Sequence, residues 1–389
     1  MRLAMVVVVI AAVVLVSIRR AIFLVAALIR ARLLPRPVGL PTVTVLVPAR
    51  NERAVADRLL AALGRLEYPA GKVSFVFVCD GCSDGSALVF RSWADQRANA
   101  HVLELPVHGG KAEALNAGLR LATGEIVVVV DADLEPLPTF LLELARPFAD
   151  DRVAAAAAFV RPRNADDNVL TRYAAITSWV HQLVTSAGTD RVGLNPPTLG
   201  AAAYRRVALE GIKGFPPVSF GVDVATSTRI THQGWKTRFV VTAVADNTVV
   251  SKARPFWQQH IRWGRGVLGV FRKGRPAVNR SWLQRLETVA ASVGYGDRLV
   301  FAAAAGGTVA GAVPLWVPVL YLAVPGLEII AALLKADVGR RLPLFLLASI
   351  LLFPADLGAS VAAVFAHLAR RPYRWHNPRW LPASGETNR

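Results

Sequence analysis

Apolar runs at the two ends of the chain enclose a central stretch with a different pattern. The apolar runs lie at residues 3–18, 299–334 and 342–368. Between them, residues 42–251 alternate short β-branched runs with segments of helical length. A run of about 20 apolar residues is long enough to cross a bilayer. Alternating strands and helices predict β-α-β units and a parallel sheet. We therefore predict an α/β domain attached to a membrane by helices at both ends.

The central pattern also predicts individual elements. β-Branched and aromatic runs predict strands at 43–47, 73–78, 101–105, from 126 onwards and at 153–160. The segments around them predict helices at 52–66, 86–98, 112–122, 170–184, 200–209 and 223–233. Asn51 is expected to cap the first of these helices. Polar loops follow three of the strands, so we expect them to meet at the carboxyl edge of the sheet.

One of those loops follows the most apolar strand. Residues 126–135 read IVVVVDADLE, and five β-branched residues without polar alternation predict a strand buried on both faces. Asp131 and Asp133 follow it, and residues i and i+2 of an extended backbone point the same way. Two carboxylates at such a strand end suit Mg²⁺ or Mn²⁺ shared with nucleotide phosphates. The alternative is a solvated turn, where aspartate is common.

The charge of the chain is unevenly distributed. The 389 residues carry a net charge of +18, are 53% hydrophobic and have a mean hydropathy of +0.40. Residues 37–251 hold 21 basic and 21 acidic side chains, so the excess positive charge lies in the two flanks. Basic residues beside apolar segments are typical of cytoplasmic membrane flanks. A nucleic-acid-binding protein would carry this charge on its folded domain, so we predict no nucleic-acid partner.

The two cysteines do not predict a disulfide framework. Cys79 and Cys82 have C-x-x-C spacing, which can indicate redox chemistry or half of a zinc site. The chain has no second pair, and the motif follows a predicted strand. We predict two reduced cysteines in a loop.

The amino-terminal apolar run ends at Arg19 and Arg20, and more apolar residues follow. A cleavable signal peptide would end in small residues, so we predict one uncleaved transmembrane helix with its carboxyl end in the cytoplasm. Residues 21–34 include Arg30 and Arg32 and predict an interfacial segment, or part of a second span.

The carboxyl-terminal runs leave the number of spans open. Residues 299–334 predict either one kinked span or two short ones, broken near Pro314 or Pro325. Residues 342–368 predict a further span. The basic residues after this region favour a cytoplasmic tail, whereas those between the runs argue against it.

Six motifs occur in a fixed order over roughly residues 42–266. They read PARNE, DGCSDG, GGKAEALNAGL, DAD, GVD and QHIRW. In this order they resemble the family 2 glycosyltransferases, which have the nucleotide-sugar-binding GT-A fold. The Q-x-x-R-W signature in the last motif is typical of that family's membrane-bound polysaccharide synthases. The resemblance implies a Rossmann-like, mostly parallel sheet between N- and C-terminal transmembrane helices.

The resemblance also implies a role for each matching position. Six side chains would bind the donor: Glu52, Asp80, Lys111, Asp131, Asp133 and Arg262. Asp131 and Asp133 would also hold Mg²⁺ or Mn²⁺, with Asp133 nearer to the ion. Asp223 would be the catalytic base. Three residues would bind the acceptor: Gly200, Gln259 and Trp263.

We therefore expect a multi-pass protein of the cell membrane whose catalytic domain faces the cytoplasm. Its expected substrates are a nucleotide sugar, most simply a UDP-sugar, and a lipid or growing glycan at the membrane. The expected segments are listed here: a transmembrane helix and interfacial segment at 1–36, a GT-A domain at 42–251, Q-x-x-R-W and interfacial helices at 252–298, transmembrane helices at 299–369, and a basic cytoplasmic tail at 370–389.

The expected reaction transfers a sugar with inversion of the anomeric centre. Expulsion of a diphosphate needs positive charge, which a divalent ion, Lys111 and Arg262 would supply. The acceptor hydroxyl must lose a proton, and Asp223 is the carboxylate assigned to accept it.

Several of these residues have simpler interpretations. Lys111 could be a surface lysine, Asp223 could cap a helix, and Trp263 could be a membrane-interface anchor. Val222 stands where the family usually has an acid, and Cys79 replaces the first of two aspartates. These departures keep a second interpretation open, a membrane-tethered sensor or inactive homologue that binds the donor without transferring it. Within the enzyme interpretation, the Q-x-x-R-W motif favours a polysaccharide synthase, and the few spans favour a lipid acceptor.

Overall fold

The structure is a computed structural model that describes residues 2–29, 37, 39–218, 221–272, 287 and 297–369. Within these residues, one eight-stranded sheet has the order β3-β2-β1-β4-β7-β6-β8-β5. Its strands are β1 Val43–Ala49, β2 Val73–Asp80, β3 Ala100–Leu105, β4 Ile126–Val129, β5 Glu135–Pro136, β6 Val153–Pro162, β7 Ala202–Arg205 and β8 Lys236–Asn247.

Helices cover the sheet and continue beyond it. The first nine are α1 Arg2–Leu28, α2 Arg53–Leu63, α3 Ser86–Ala94, α4 Lys111–Leu119, α5 Phe140–Ala145, α6 Val169–Trp179, α7 Ala187–Arg191, α8 Arg206–Gly211 and α9 Val222–His232. The later helices are α10 Ala253–Arg272, α11 Asp297–Val309, α12 Trp316–Lys335 and α13 Leu342–Leu368. A π-helix, Val180–Ser186, joins α6 to α7, and 3-10 turns lie at Ala70–Lys72, Arg146–Ala149 and Gly339–Arg341.

The predicted α/β sheet is confirmed for the first four strands. β1 pairs in parallel with both β2 and β4, and β2 pairs in parallel with β3. All four residues of β4 are buried, as expected for a strand that is covered on both faces. Because parallel strands end at one edge, the loops after β1, β2 and β4 lie side by side.

The prediction of a helix over 200–209 is wrong. Ala202–Arg205 form β7, which pairs antiparallel with β4 on one side and β6 on the other. Alanine favours helices in isolation. Here Ala202 and Ala203 lie opposite buried strand residues, and small side chains on both faces let the layers approach closely. Packing therefore outweighs helix propensity, and only Arg206–Gly211 are helical.

The amino-terminal helix is longer than predicted. α1 runs without a break through Arg19 and Arg20 to Leu28, so a separate interfacial segment beginning at residue 21 is wrong. Arg19 pairs with Glu287, and Arg20 pairs with Asp297 and Glu328, so both charged side chains have partners within the helical region. The predictions for Arg30, Arg32 and the tail 370–389 lie outside the described residues.

The carboxyl-terminal region contains two separate helices where one kinked span was the alternative. α11 ends at Val309 and α12 begins at Trp316, just after Pro314, whereas Pro325 lies inside α12. Among the residues that the structure describes, three helices are long and apolar enough to cross a membrane: Leu3–Leu28, Trp316–Lys335 and Gly339–Ala366. α11, with 13 residues, is too short to be one of them.

Candidate active site

A lysine and two aspartates from distant parts of the chain meet at the carboxyl edge of the sheet. Lys111 is the first residue of α4, and its Nζ donates to Asp131 Oδ1 at 2.7 Å and to Asp223 Oδ2 at 3.3 Å. Burial alone would lower the pKa of Lys111, but the two carboxylates outweigh burial and raise that pKa. The ammonium group therefore stays charged and holds the two acids together.

Asp131 and Asp133 lie in a turn after β4. The strand ends at Val129, and Leu134 N donates to Asp131 O at 3.0 Å, which closes the turn. The predicted extended backbone through the two aspartates is therefore wrong, because side chains in a turn do not follow the two-residue alternation of a strand. Both side chains are nevertheless half-buried at the rim.

The acids at this rim suit an ion that is shared with a substrate. No cluster of three or more His, Cys, Asp or Glu side chains suited to a metal occurs among the described residues. Mg²⁺ commonly uses only one or two protein carboxylates and completes its shell with phosphate oxygens and water. Asp131 and Asp133 fit that incomplete set of ligands, provided that a diphosphate supplies the rest.

Asp223 lies in the first turn of α9. Gly221, in the left-handed region with φ 65°, is the cap residue, so the structure does not support Asp223 as the helix cap. The Asp223 carboxyl is buried, which raises its pKa, whereas Lys111 and the backbone N–H of Gly200 lower it in part. Val222 beside it is buried in the apolar core under the sheet. The position where the family usually has an acid thus serves packing here.

Two buried hydroxyls fix the backbone at Asp223. Thr198 Oγ1 donates to Asp223 O at 2.8 Å and lies 2.9 Å from the Tyr204 hydroxyl. Both side chains are fully buried, and burial raises the pKa of Tyr204. Our sequence analysis missed them. The sequence does contain a signal for them. Residues 196–204 read PPTLGAAAY, in which Thr198 and Tyr204 are the hydroxyl side chains among small and apolar residues.

Asp80 holds the loop that leads to Lys111. Its buried carboxylate accepts hydrogen bonds from Gly109 N at 2.7 Å and Gly110 N at 2.9 Å, and lies 2.7 Å from His108 Nδ1. Gly110 has φ 94°, a conformation that glycine adopts without strain. Direct contact of Asp80 with a donor stays a prediction; the contacts seen here position the start of α4.

The loops after β1 and β2 are joined by a second set of hydrogen bonds. Asp84 accepts from Arg53 N at 2.9 Å and Ser86 N at 3.0 Å, and Ser86 Oγ accepts from Glu52 N at 2.8 Å. Burial alone would raise the pKa of Asp84, but these hydrogen bonds lower it. Glu52, which is half-buried, occupies the cap position of α2 and thus lies in the same rim.

Asn51 does not cap α2 as predicted. It lies at φ 55°, one residue before the cap position, and its Oδ1 accepts from Ser83 N at 2.8 Å instead. The side chain is thereby aimed at the neighbouring loop rather than at the helix. Cys79 and Cys82 are free, as predicted, but Cys79 lies in β2 and not in the loop, because the strand continues to Asp80. A hydrogen bond from Cys79 lowers the pKa of Cys82 to about 7.

The Q-x-x-R-W residues lie on the amphipathic helix α10. Gln259 is buried, Arg262 is half-buried, and Trp263 is 44% exposed. An exposed tryptophan near apolar helices fits both an acceptor platform and an interface anchor. Their assignment to donor and acceptor stays a prediction, as does that of Gly200, which lies beside Asp223 at φ 62°.

The segment that contains the rim loops is similar to a known protein family. The family model described as Glycosyl transferase family 2 matches residues 44–212, which contain all the rim loops after β1, β2 and β4. These residues are therefore similar to the family 2 glycosyltransferases. The matched segment includes Glu52, Asp80, Lys111, Asp131 and Asp133, and ends before Asp223.

Curated relatives match more than half of the chain. A probable glycosyltransferase, YdaM of Bacillus subtilis, is 28% identical over 58% of this chain and 55% of its own length. Beta-monoglucosyldiacylglycerol synthase of Trichormus variabilis is 29% identical over 59% of this chain and 49% of its own length. N-acetylglucosaminyltransferase of Mesorhizobium japonicum is 31% identical over 58% of this chain and 56% of its own length. The chain thus spans about half the length of the curated relatives it matches.

One solved structure resembles nearly the whole chain. The mannosyltransferase PcManGT from Pyrobaculum calidifontis, solved in complex with GDP-Man and Mn²⁺, has a TM-score of 0.62 and 23% identity. The match covers 95% of this chain and 99% of that one, so it includes the apolar helices. It confirms the predicted GT-A fold flanked by apolar helices.

Proposed function

We propose that this protein is a membrane-anchored, inverting glycosyltransferase that moves a sugar from a UDP-sugar to a lipid acceptor at the membrane surface. The observation that carries the proposal is the Lys111 ammonium, which joins Asp131 to Asp223 at one edge of the sheet. The carboxylate assigned to the metal and the base must face one reacting centre, and a shared lysine keeps these two acids within reach of each other.

Lys111 and Arg262 supply fixed positive charge to the departing diphosphate. Positive groups that are oriented before the reaction stabilise developing negative charge without reorganisation. Asp131 and Asp133 would hold Mg²⁺ or Mn²⁺, which when bound neutralises diphosphate charge as a Lewis acid. The Asp80 carboxylate contributes indirectly, because its hydrogen bonds to Gly109 and Gly110 fix where Lys111 begins.

Asp223 takes the proton of the acceptor hydroxyl as that oxygen attacks the anomeric carbon. Its raised pKa suits a group that must accept a proton near neutral pH. The Thr198 hydroxyl and the first turn of α9 hold its backbone in place. Attack opposite the departing diphosphate inverts the anomeric centre.

The packing of the apolar helices favours a lipid over a growing glycan as acceptor. A polymer would need a polar path between helices. Instead, charged side chains of α1, α11 and α12 pair with one another, since Arg20 pairs with Glu328 at 2.8 Å and with Asp297. These groups therefore hold the helices together and do not line a path for a polymer. A glycan acceptor remains the second candidate, because the chain has the Q-x-x-R-W motif and an N-acetylglucosaminyltransferase relative.

The test is a screen of UDP- and GDP-sugars with the full-length protein in membranes, measuring release of nucleoside diphosphate with Mg²⁺, Mn²⁺ or EDTA. We expect metal-dependent release from a UDP-sugar and a single lipid-extractable labelled product. A ladder of water-soluble products would favour the glycan acceptor. Donor binding without any release would support the non-transferring homologue and contradict the proposal.

A further inference from the structure

A second charged cluster lies among the helices, where α6, α10, α11 and α13 meet around Asp356. Asp356 belongs to α13 and is 1% exposed. Its Oδ1 lies 2.8 Å from His260 Nδ1 of α10. Its Oδ2 accepts from Arg298 Nη2 of α11 at 2.7 Å and from the Tyr173 hydroxyl of α6 at 2.9 Å. Both oxygens of one carboxylate are therefore engaged.

A carboxylate within an apolar helix lowers the stability of the fold unless it has suitable partners, so its presence indicates a specific role. Burying an ion costs several kcal/mol unless partners of good geometry surround it, and acids within apolar spans commonly mark functional positions. Asp356 has three such partners, and only one of them, His260, lies on α10. That contact joins the apolar helix α13 to the helix with the Q-x-x-R-W residues.

The buried face of α10 is organised around His260. The His260 ring lies 4.0 Å from the Phe256 ring and 5.4 Å from the Trp263 ring, measured between centroids. Gln259 immediately precedes His260, and Trp263 follows it by one helical turn. A hydrogen bond at His260 therefore sets the rotation of α10 for both neighbours.

A steric contact fixes the same pair of helices. A Cβ atom at Gly358 of α13 would lie 3.1 Å from the Trp257 ring of α10, which leaves little room for a side chain. Asp356 and Gly358 thus give α13 one polar and one steric contact with α10. A polar contact has a required direction and spacing, which apolar packing lacks.

We propose that Asp356 is a positioning residue for the transfer reaction. Through His260 it sets the rotation of α10, and so the placement of Gln259, Arg262 and Trp263 relative to the donor and acceptor. This inference rests on the proposed glycosyltransferase function for its kinetic consequence. Its structural consequence, an ordered α10, does not depend on that function.

Two substitutions at His260 separate hydrogen bonding from ring packing. Asparagine places a side-chain N–H close to where His Nδ1 lies, so His260→Asn keeps a donor for Asp356, whereas His260→Leu has none. Both lose the ring contacts with Phe256 and Trp263. Tyr173→Phe is the matched control, because it removes one hydrogen bond to Asp356 and keeps the ring that packs against Phe256 of α10.

The experiment measures kcat and KM for release of nucleoside diphosphate, together with hydrogen exchange of α10 peptides in full-length protein. We expect His260→Leu to lower kcat by about 10- to 100-fold, the loss typical of a misplaced group, and to speed exchange in α10. His260→Asn and Tyr173→Phe should stay within about threefold of wild type in kcat and unchanged in exchange, since each keeps a hydrogen bond between α10 and Asp356.

Two results would overturn the proposal. The first is a wild-type rate of hydrogen exchange in α10 of His260→Leu. The second is an equal loss of kcat in His260→Leu and His260→Asn that follows the decrease in their melting temperatures. If the wild-type protein releases no nucleoside diphosphate, the proposed function fails on its own. The exchange comparison between His260→Leu and His260→Asn then still decides whether Asp356 holds α10.

Discussion

Two clusters in this protein place a carboxylate against nitrogen donors, and they differ in exposure. At the sheet edge, the Lys111 and Asp131 side chains are 32% and 34% exposed. Between the apolar helices, the Asp356 side chain is 1% exposed and contacts Arg298, Tyr173 and His260. The first cluster lies on loops and has room for a substrate. In the second, the Asp356 carboxylate itself is shielded from solvent.

The difference shows how the same chemistry serves two purposes. A half-exposed ion pair contributes at most about 1 kcal/mol to stability, so Lys111 can exchange partners at little cost when a donor arrives. A closed buried pair is weak evidence for added stability, but removal of one partner costs about 3–5 kcal/mol. The sheet edge is therefore expected to control turnover, and the Asp356 cluster to control stability and position.

The largest effect should come from the base. Asp223→Asn keeps the size of the side chain but cannot accept the acceptor's proton, so we expect kcat to fall by about 10²- to 10⁴-fold. Donor affinity, measured by isothermal titration, should change by less than about threefold, because Asp223 is assigned to the acceptor step. Ser227→Ala, which removes a hydrogen bond to the Asp223 backbone carbonyl, is the control for local packing. An active Asp223→Asn enzyme would contradict the assignment.

The next effect should appear in stability. Asp356→Ala leaves the buried His260 and the half-buried Arg298 without their carboxylate, and we expect the free energy of unfolding to fall by about 3–5 kcal/mol. The matched control is Asp166→Ala, which breaks a pair with Arg341 whose side chains are 41% and 53% exposed. That pair should contribute less than about 1 kcal/mol. Thermal unfolding in detergent compares the two, and equal losses would mean that burial does not distinguish these clusters.

A pH profile sharpens the difference further. Burial raises the pKa of Asp223 and Lys111 lowers it, so removal of Lys111 should raise it more. Because a base must be deprotonated, activity is lost as pH falls through this pKa, and the acidic limb of kcat should move to higher pH in Lys111→Met. Lys111→Arg keeps the charge and should leave the limb in place. If the acidic limb of the pH profile does not move in Lys111→Met, Asp223 is not the base whose titration limits kcat.

Much of the sheet edge could be predicted from local sequence. The β-branched run of β4 determines a buried strand, and the polar loops after parallel strands must share an edge. The turn at Asp131 to Leu134 was not predictable in the same way, because the acidic residues fit both strand and turn. The strand at Ala202–Arg205 depends on alanines of a distant strand, which propensity does not include.

The Asp356 cluster could not be predicted from sequence at all. His260 and Asp356 are 96 residues apart, and each alone is only a polar residue in an apolar or amphipathic helix. Their contact follows from how α10, α11 and α13 pack, which no local pattern encodes. The same holds for Thr198, whose hydroxyl supports a backbone carbonyl 25 residues away.

The smallest predicted effect tests the link between the rim loops and Lys111. Asp80→Asn keeps one acceptor oxygen for Gly109 and Gly110 but presents an amide group where the second oxygen was. We expect a stability loss of about 1–2 kcal/mol, because one backbone N–H is left poorly paired. The start of α4 should loosen, so KM for the donor should rise several-fold while kcat changes little. Exchange of the 108–112 amides measures the loosening directly, and a normal exchange rate with a raised KM would instead indicate that Asp80 touches the donor.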